Sequence, residues 1–228
     1  MELQTISTDN MRVCRLFDAD NTIAWEYLTE LDWPWEALPL IASYVKELGA
    51  KLDKSEYDAR PDNVWIHKTA IVAPSAHIGT NIIICANTEV RHCAFIRSDV
   101  IVGGGAVVGN STELKNVILF DGVQVPHFNY VGDSILGYKS HFGAGVITSN
   151  VKSDSSLVSV YCHDECIETG LKKFGAILGD NVEVGCNAVL NPGTVIGSNA
   201  TVYPLSMVRG FIPTNSIYKK QGEIVEKR

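Results

Sequence analysis

No stretch of this 228-residue chain approaches the roughly 18 consecutive apolar residues of a bilayer-spanning helix. The N-terminus has no basic segment followed by an apolar core, so neither a membrane nor a secretory leader is expected, and the cytoplasm is the compartment the sequence suggests. Basic residues are also in deficit: 19 Lys and Arg against 26 Asp and Glu leave a net charge of −7. That balance argues against nucleic acid as the main partner, because a phosphate backbone requires a positive surface. The cysteines, Cys14, Cys85, Cys93, Cys162, Cys166 and Cys186, are neither dense nor regularly paired, so reduced thiols are expected. Only Cys162-His163-Asp164-Glu165-Cys166 has metal-ligand chemistry, and it lacks a second pair of ligands; no metal site is expected. With 46% hydrophobic residues and a mean hydropathy of +0.07, what remains is a globular chain able to bury a sizeable core.

What the chain does have is a period of six. From Ile66 an aliphatic or aromatic residue recurs as Val72, Ile78, Ile84, Val90, Ile96, Val102, Val108, Leu114 and Phe120. A helix repeats at 3.6 and a strand at 2, so this period describes a stack of similar short turns. Four residues after each bulky position the column reads Ala70, Ala76, Ile82, Thr88, Ala94, Val100, Ala106, Thr112 and Ile118, where small residues suit a tight corner. Ile78-Gly79, Val102-Gly103 and Val108-Gly109 place glycine where a turn could use φ > 0. The period slips near Pro126 and returns as Leu178, Val184, Leu190, Ile196, Val202 and Val208. The expected fold is mainly β: a parallel β-helix of hexapeptide repeats over residues 61–228.

Residues 1–60 differ in kind. Trp25, Leu28 and Leu31 have helical spacing, and Ile41, Tyr44, Val45 and Leu48 would line a second helix with Pro39 in its first turn and Gly49 as its stop. Residues 53–62 read as a charged linker. A short α-helical region capping the first coil, or packing on a neighbouring subunit, is the expectation, since an uncapped solenoid end can pair with other chains. Within the repeats, residues 151–171 read as a hairpin-like excursion, with Leu157-Val158-Ser159-Val160-Tyr161 alternating like a strand.

The register breaks at Val125-Pro126-His127-Phe128-Asn129-Tyr130-Val131-Gly132-Asp133. A histidine there can accept a proton at neutral pH, which makes His127 the best general-base candidate, although a lone histidine in a β-helix is more often a stacking or surface residue. Lys115 follows Arg97 by one full coil if three hexapeptides close a coil, so the two stack and suit a phosphate, against the plainer reading of ordinary surface charge. His127 falls near that pair on an adjoining face.

Val108-Gly109-Asn110, Glu113-Leu114-Lys115-Asn116, the His127 to Asp133 segment, Gly143-Ala144-Gly145-Val146-Ile147-Thr148-Ser149-Asn150 and Lys173-Phe174 resemble the acetyltransferase domain of bifunctional N-acetylglucosamine-1-phosphate uridyltransferase/glucosamine-1-phosphate acetyltransferases. The Thr169-Gly170-Leu171-Lys172-Lys173 junction is similar to the C-terminal arm of sugar-nucleotidyltransferase-like proteins of that superfamily. The resemblance implies a left-handed coil, a homotrimer with its site between subunits, acetyl-CoA as co-substrate and no metal for acyl transfer. It implies that His127 deprotonates a sugar 2-amine, that Arg97 and Lys115 hold the sugar phosphate, and that Tyr130, Asn150 and Lys173 orient the sugar. It places Ala144, Cys186 and Pro204 on acetyl-CoA, with a backbone N–H near Ala144 as oxyanion donor. His141 stands where the family usually has asparagine, Val151 where tyrosine is usual, and Cys186 replaces a small hydroxyl residue. No Gly-rich segment for a nucleoside triphosphate precedes the repeats, so uridyl transfer is not expected. Two alternatives stay open: a noncatalytic trimer that binds a sugar nucleotide or scaffolds a partner, and acyl transfer to another amine or hydroxyl.

Overall fold

The computed structural model describes residues 7–227. Its main body is a stack of parallel coils, each with three faces. Face 1 carries Val64–His67 and, in successive coils, the ends of the strands His77–Ile84, Phe95–Val102, Glu113–Leu119 and Tyr130–Leu136, then Ala176–Leu178, Thr194–Ile196 and Phe211–Ile212. Face 2 runs from Ile71–Val72 through Glu89–Val90, Val107–Asn110, Gln124–His127, His141–Phe142, Glu183–Val184 and Thr201–Val202 to Ser216–Lys220. Face 3 holds the beginnings of the long strands, then Ile147–Thr148, Val189–Leu190 and Met207–Val208. The hexapeptide β-helix is therefore the fold.

The bulky column points inward, with Ile84, Val90, Ile96, Val102, Val108 and Leu114 essentially inaccessible to solvent. The slip lies earlier than Pro126. Leu114 pairs with Ile96, but Val117 pairs with Val100, so one residue is missing from the corner between them. Leu119, opposite Val102, takes the inward position expected of Phe120, which instead sits at the next corner against Phe17. A second one-residue shortening falls at the equivalent corner after Val131, because Val131 pairs with Leu114 and keeps that offset. Gly79, Gly103 and Gly109 do not use positive φ. A Cβ on them would overlap the backbone of Arg97, Phe120 and Pro126 in the next coil, so close approach is their reason. The left-handed positions come later in each turn, and Asn is the commonest residue at them, as at Asn81, Asn87, Asn181, Asn187, Asn199 and Asn215.

The N-terminal segment contains α1 (Val13–Leu16), α2 (Trp25–Leu28), a 3-10 turn over Pro34–Leu40 and α3 (Ile41–Lys51). Leu31 lies outside α2, Pro39 precedes α3, and Gly49 lies inside α3, where its missing side chain admits the Trp65 ring. The stretch expected to be a linker contains the strand Tyr57–Arg60, which pairs antiparallel with Val64–His67 and closes the edge of face 1. The segment lies lengthwise on face 1 rather than across the end of the stack. Ser198 Oγ donates to the Leu16 carbonyl (2.8 Å), Asp180 accepts the N–H groups of Asp18 and Tyr138 (2.7 Å each), and Asp121 N–H donates to Asn21 O (2.9 Å). Burial pushes the Asp180 carboxyl up to about 6. The cause of this placement is an outward column on face 1, Ile83, Ile101, Ile118, Ile135, Ile177 and Val195, every member fully buried by what covers it. Between Thr148 and Ala176 the chain leaves the stack as the hairpin Ser159–Cys162/Glu165–Glu168 and passes over the corner glycines Gly193 and Gly210.

Candidate active site

The residues singled out in the sequence border face 3 in two groups. The first lies on the edge between faces 2 and 3. His127 ends the strand Gln124–His127 opposite Asn110, and its exposed ring has no hydrogen bond among the described residues. Its backbone is held firmly: the N–H donates to Asn129 Oδ1 (3.1 Å), and buried Asn129 in turn donates to Gly143 O (2.9 Å). One coil on, Gly145 N–H donates to His127 O (3.0 Å); then Asn187 N–H to Ala144 O (2.8 Å) and Leu205 N–H to Cys186 O (2.9 Å). These equivalent bonds stack His127, Ala144, Cys186 and Pro204 as one column, with rungs about 4.8 Å apart. The Ala144 N–H donates to no backbone carbonyl among the described residues.

The second group occupies the opposite edge, between faces 3 and 1. Lys115 Nζ donates to Asp133 Oδ1 (2.8 Å), and Asn116 Nδ2 donates to the same oxygen (3.0 Å). Asn150 Nδ2 donates to Asp133 Oδ2 and to the Tyr130 hydroxyl (3.2 Å). Asp133 is only 3% exposed, and its charge is answered by these donors. Arg97 reaches Glu113 Oε1 at 2.8 Å on the exposed side of the same corner, and this hydrogen bond raises the guanidinium further above its ordinary value. Burial pushes the Tyr130 phenol up, opposed by the Asn150 amide. Lys173 is exposed beside Phe174, whose N–H donates to Asn150 O (3.0 Å) and whose ring packs on Trp35.

The structure therefore gathers Lys115, Tyr130 and Asn150 around Asp133, with Arg97 and Lys173 beside them, and gathers His127 with Ala144, Cys186 and Pro204 elsewhere. Lys115 pairs with Gly132, five residues along from His127, a stretch that spans at most about 18 Å of chain. The cations are not a bare pair, since each already has a carboxylate partner. His141 lies on face 2, its Nδ1 2.8 Å from Glu183 Oε2, in an open groove of about 390 Å³ that also touches Gln124 and Lys139. Val151 is exposed next to Asn150. Among the described residues no group of three or more His, Cys, Asp or Glu is placed to hold a metal, and no helix is long and apolar enough to cross a membrane. Sequence reasoning gave no role to Asp133 or Asn116. The one-residue slips at their two corners were the available signal, because each shortened corner turns on a left-handed residue (φ 48° at Asp133 and 55° at Asn116), and Asp133 there meets Lys115.

Comparison with known proteins follows the same region. Residues 84–196 match the family model described as the GMPPB C-terminal domain. The bifunctional protein GlmU of Methanococcus maripaludis is 32% identical over 205 residues, 89% of this chain and 50% of that protein. The bifunctional sugar-1-phosphate nucleotidylyltransferase/acetyltransferase of Sulfurisphaera tokodaii is 34% identical over 112 residues, 49% of this chain and 28% of that protein. An uncharacterized acetyltransferase, YaiX, from Escherichia coli is 29% identical over 210 residues, 84% of this chain and 88% of that protein. The chain spans about half the length of the first of these relatives.

Proposed function

We propose, from the match of residues 84–196 to the family model described as the GMPPB C-terminal domain, that the chain is an acetyl-CoA-dependent N-acetyltransferase acting on an amino-sugar 1-phosphate. The observation that carries this reading is the column on one edge of face 3: an imidazole with no hydrogen-bonding side-chain partner among the described residues, followed coil by coil by Ala144, Cys186 and Pro204. The similarity to proteins named as acetyltransferases supports it.

In the reaction the acceptor amine attacks the thioester carbonyl while His127 takes its proton. The C–N bond forms, the C–S bond breaks, and the thiolate leaves with the proton returned from His127. The Ala144 N–H is the donor for the oxyanion. Lys115 and Arg97 meet the phosphate by loosening their hold on Asp133 and Glu113, while Tyr130, Asn150 and Lys173 orient the ring. Holding both reactants supplies the effective concentration, and the base adds about 10²–10⁴-fold.

The assembly we propose is a homotrimer. Phe95, Phe128, Ile147, Leu205 and Met207 are exposed on face 3 and its His127 edge, an apolar strip that neighbouring copies would cover. A site between copies would bring one protomer's acceptor corner toward another's His127 column. We place the protein in the cytoplasm. A second reading, a noncatalytic trimer that binds a sugar nucleotide, draws on the carboxylate partners of Arg97 and Lys115 and on the pairing of His141 with Glu183.

The test is release of free thiol from acetyl-CoA in the presence of glucosamine 1-phosphate, beside His127→Ala. Release that depends on the acceptor and falls at least 100-fold in the variant is expected. No release by the wild type, with acetyl-CoA binding also absent, would transfer the reading to the binding protein.

A further inference from the structure

We propose that Asn116 is a positioning residue of the acceptor corner, through which the N-terminal segment sets the protein's affinity for its acceptor. This rests on the acetyltransferase reading above. Asn116 Nδ2 donates one hydrogen to the Leu38 carbonyl (3.0 Å) and the other to Asp133 Oδ1 (3.0 Å). Both neighbours are acceptors only, which fixes the amide with its NH₂ toward them. The backbone at Asn116 has φ 55°, a conformation suited to Gly, Asn or Asp. Of these, Asn alone can supply two hydrogens there, so the residue type answers both the turn and the bridge.

The same corner in earlier coils shows the coil-to-coil half of this bridge. Asn63 Nδ2 donates to Asn81 Oδ1, and Asn81 Nδ2 donates to Asp99 Oδ1, so their side chains tie coil to coil within the stack. At Asn116 the coil-to-coil tie continues to Asp133 and a second hydrogen goes outward to Leu38 of the N-terminal segment, between the rung of Lys115 and that of Asp133. The 3-10 turn that offers Leu38 also offers Trp35, 2% exposed, whose ring lies 5.9 Å from Phe174. Phe174 donates its N–H to Asn150 O and follows Lys173 in the chain. One turn of the N-terminal segment thus holds both walls of the corner: Asp133 and Lys115 through Asn116, and Asn150 and Lys173 through Trp35.

Lys115 and Asn150 are aimed by Asp133, and Asp133 is steadied by the bridge. Loss of the bridge leaves the acceptor groups chemically intact but no longer in register. The His127 column, on the far edge of face 3, shares none of these contacts. The expected signature is therefore a rise in acceptor KM without a matching change in kcat or in the acetyl-CoA KM.

The experiment compares wild type with Asn116→Asp and Asn116→Gly in steady-state turnover of glucosamine 1-phosphate and acetyl-CoA, with a thermal midpoint for each. Asn116→Asp keeps the shape but sets an acceptor against Asp133 and Leu38. Asn116→Gly accepts the left-handed φ at no cost and keeps the test readable should carboxylate repulsion unfold the first variant. Acceptor KM is expected to rise about tenfold or more in both, the loss of a hydrogen bond to a charged group, with kcat and acetyl-CoA KM within about twofold. An unchanged acceptor KM, or equal losses in all three constants that track the melting temperature, overturns the inference and leaves the acetyltransferase reading intact. A wild type without turnover overturns both.

Discussion

Two isoleucines, Ile101 and Ile71, both point away from the coil interior, and they should respond to alanine in opposite ways. Ile101 alternates with the inward Val100 and Val102, and its outward side chain is fully buried because the N-terminal segment lies on face 1. Ile71 is equivalent on face 2 and is 70% exposed. Truncating Ile101 removes three carbons from the interface. At about 0.8 kcal/mol per buried carbon plus a cavity contribution, the cost is about 3–4 kcal/mol. For a chain of this size that lowers the melting temperature by roughly 10 °C. Ile71→Ala should stay within about 0.5 kcal/mol, or a degree or two. Thermal unfolding followed by circular dichroism reads both variants. Equal midpoints for the two, or a larger loss at Ile71, would refute the placement of the N-terminal segment along the stack.

The buried carboxyl of Asp180, raised from an ordinary value near 4 to about 6, binds a proton more readily folded than unfolded. Its contribution therefore makes stability fall as pH rises from about 4 to 6, by about 2–3 kcal/mol, and level off above; Asp180→Asn should remove that slope in denaturant titrations across this range. Among the thiols, Cys14, Cys93, Cys166 and Cys186 are exposed and Cys85 and Cys162 buried, with burial pushing the Cys85 thiol up to about 12. A native thiol titration should reach the first four, acetyl-CoA should slow labelling at Cys186 mapped by mass spectrometry, and unaffected labelling there would remove Cys186 from the acetyl-CoA column. Gly109→Ala should cost about 2–4 kcal/mol by forcing a Cβ into the Pro126 carbonyl of the next coil; a melting temperature equal to wild type would contradict that coil spacing.

The sequence by itself determined the coil. An inward side chain at every sixth position can be buried only if the chain turns at that interval, so Ile78, Ile84, Val90 and Ile96 carried the fold without help from anything distant. It also determined that Arg97 and Lys115 share an edge, one 18-residue coil apart, whereas the stacking of His127 with Ala144 needs the shortened coil of 17 residues. Three matters were left to the tertiary structure. Where the period shortens was ambiguous, since Leu119 and Phe120 are both apolar and the pairing of Leu119 with Val102 decided between them. The place of the N-terminal segment was hidden in residues that a six-residue period passes over: Ile83, Ile101 and Ile135 recur once per coil, with Ile118 moved from the expected small column into theirs by the slip, and an outward isoleucine looks the same in sequence whether solvent or a helix covers it. The side-chain pairing around Asp133 was the third. Lys115 and Asp133 are a full coil apart in sequence, and only the stacking of shortened turns sets the ammonium 2.8 Å from a carboxylate that the protein keeps from water.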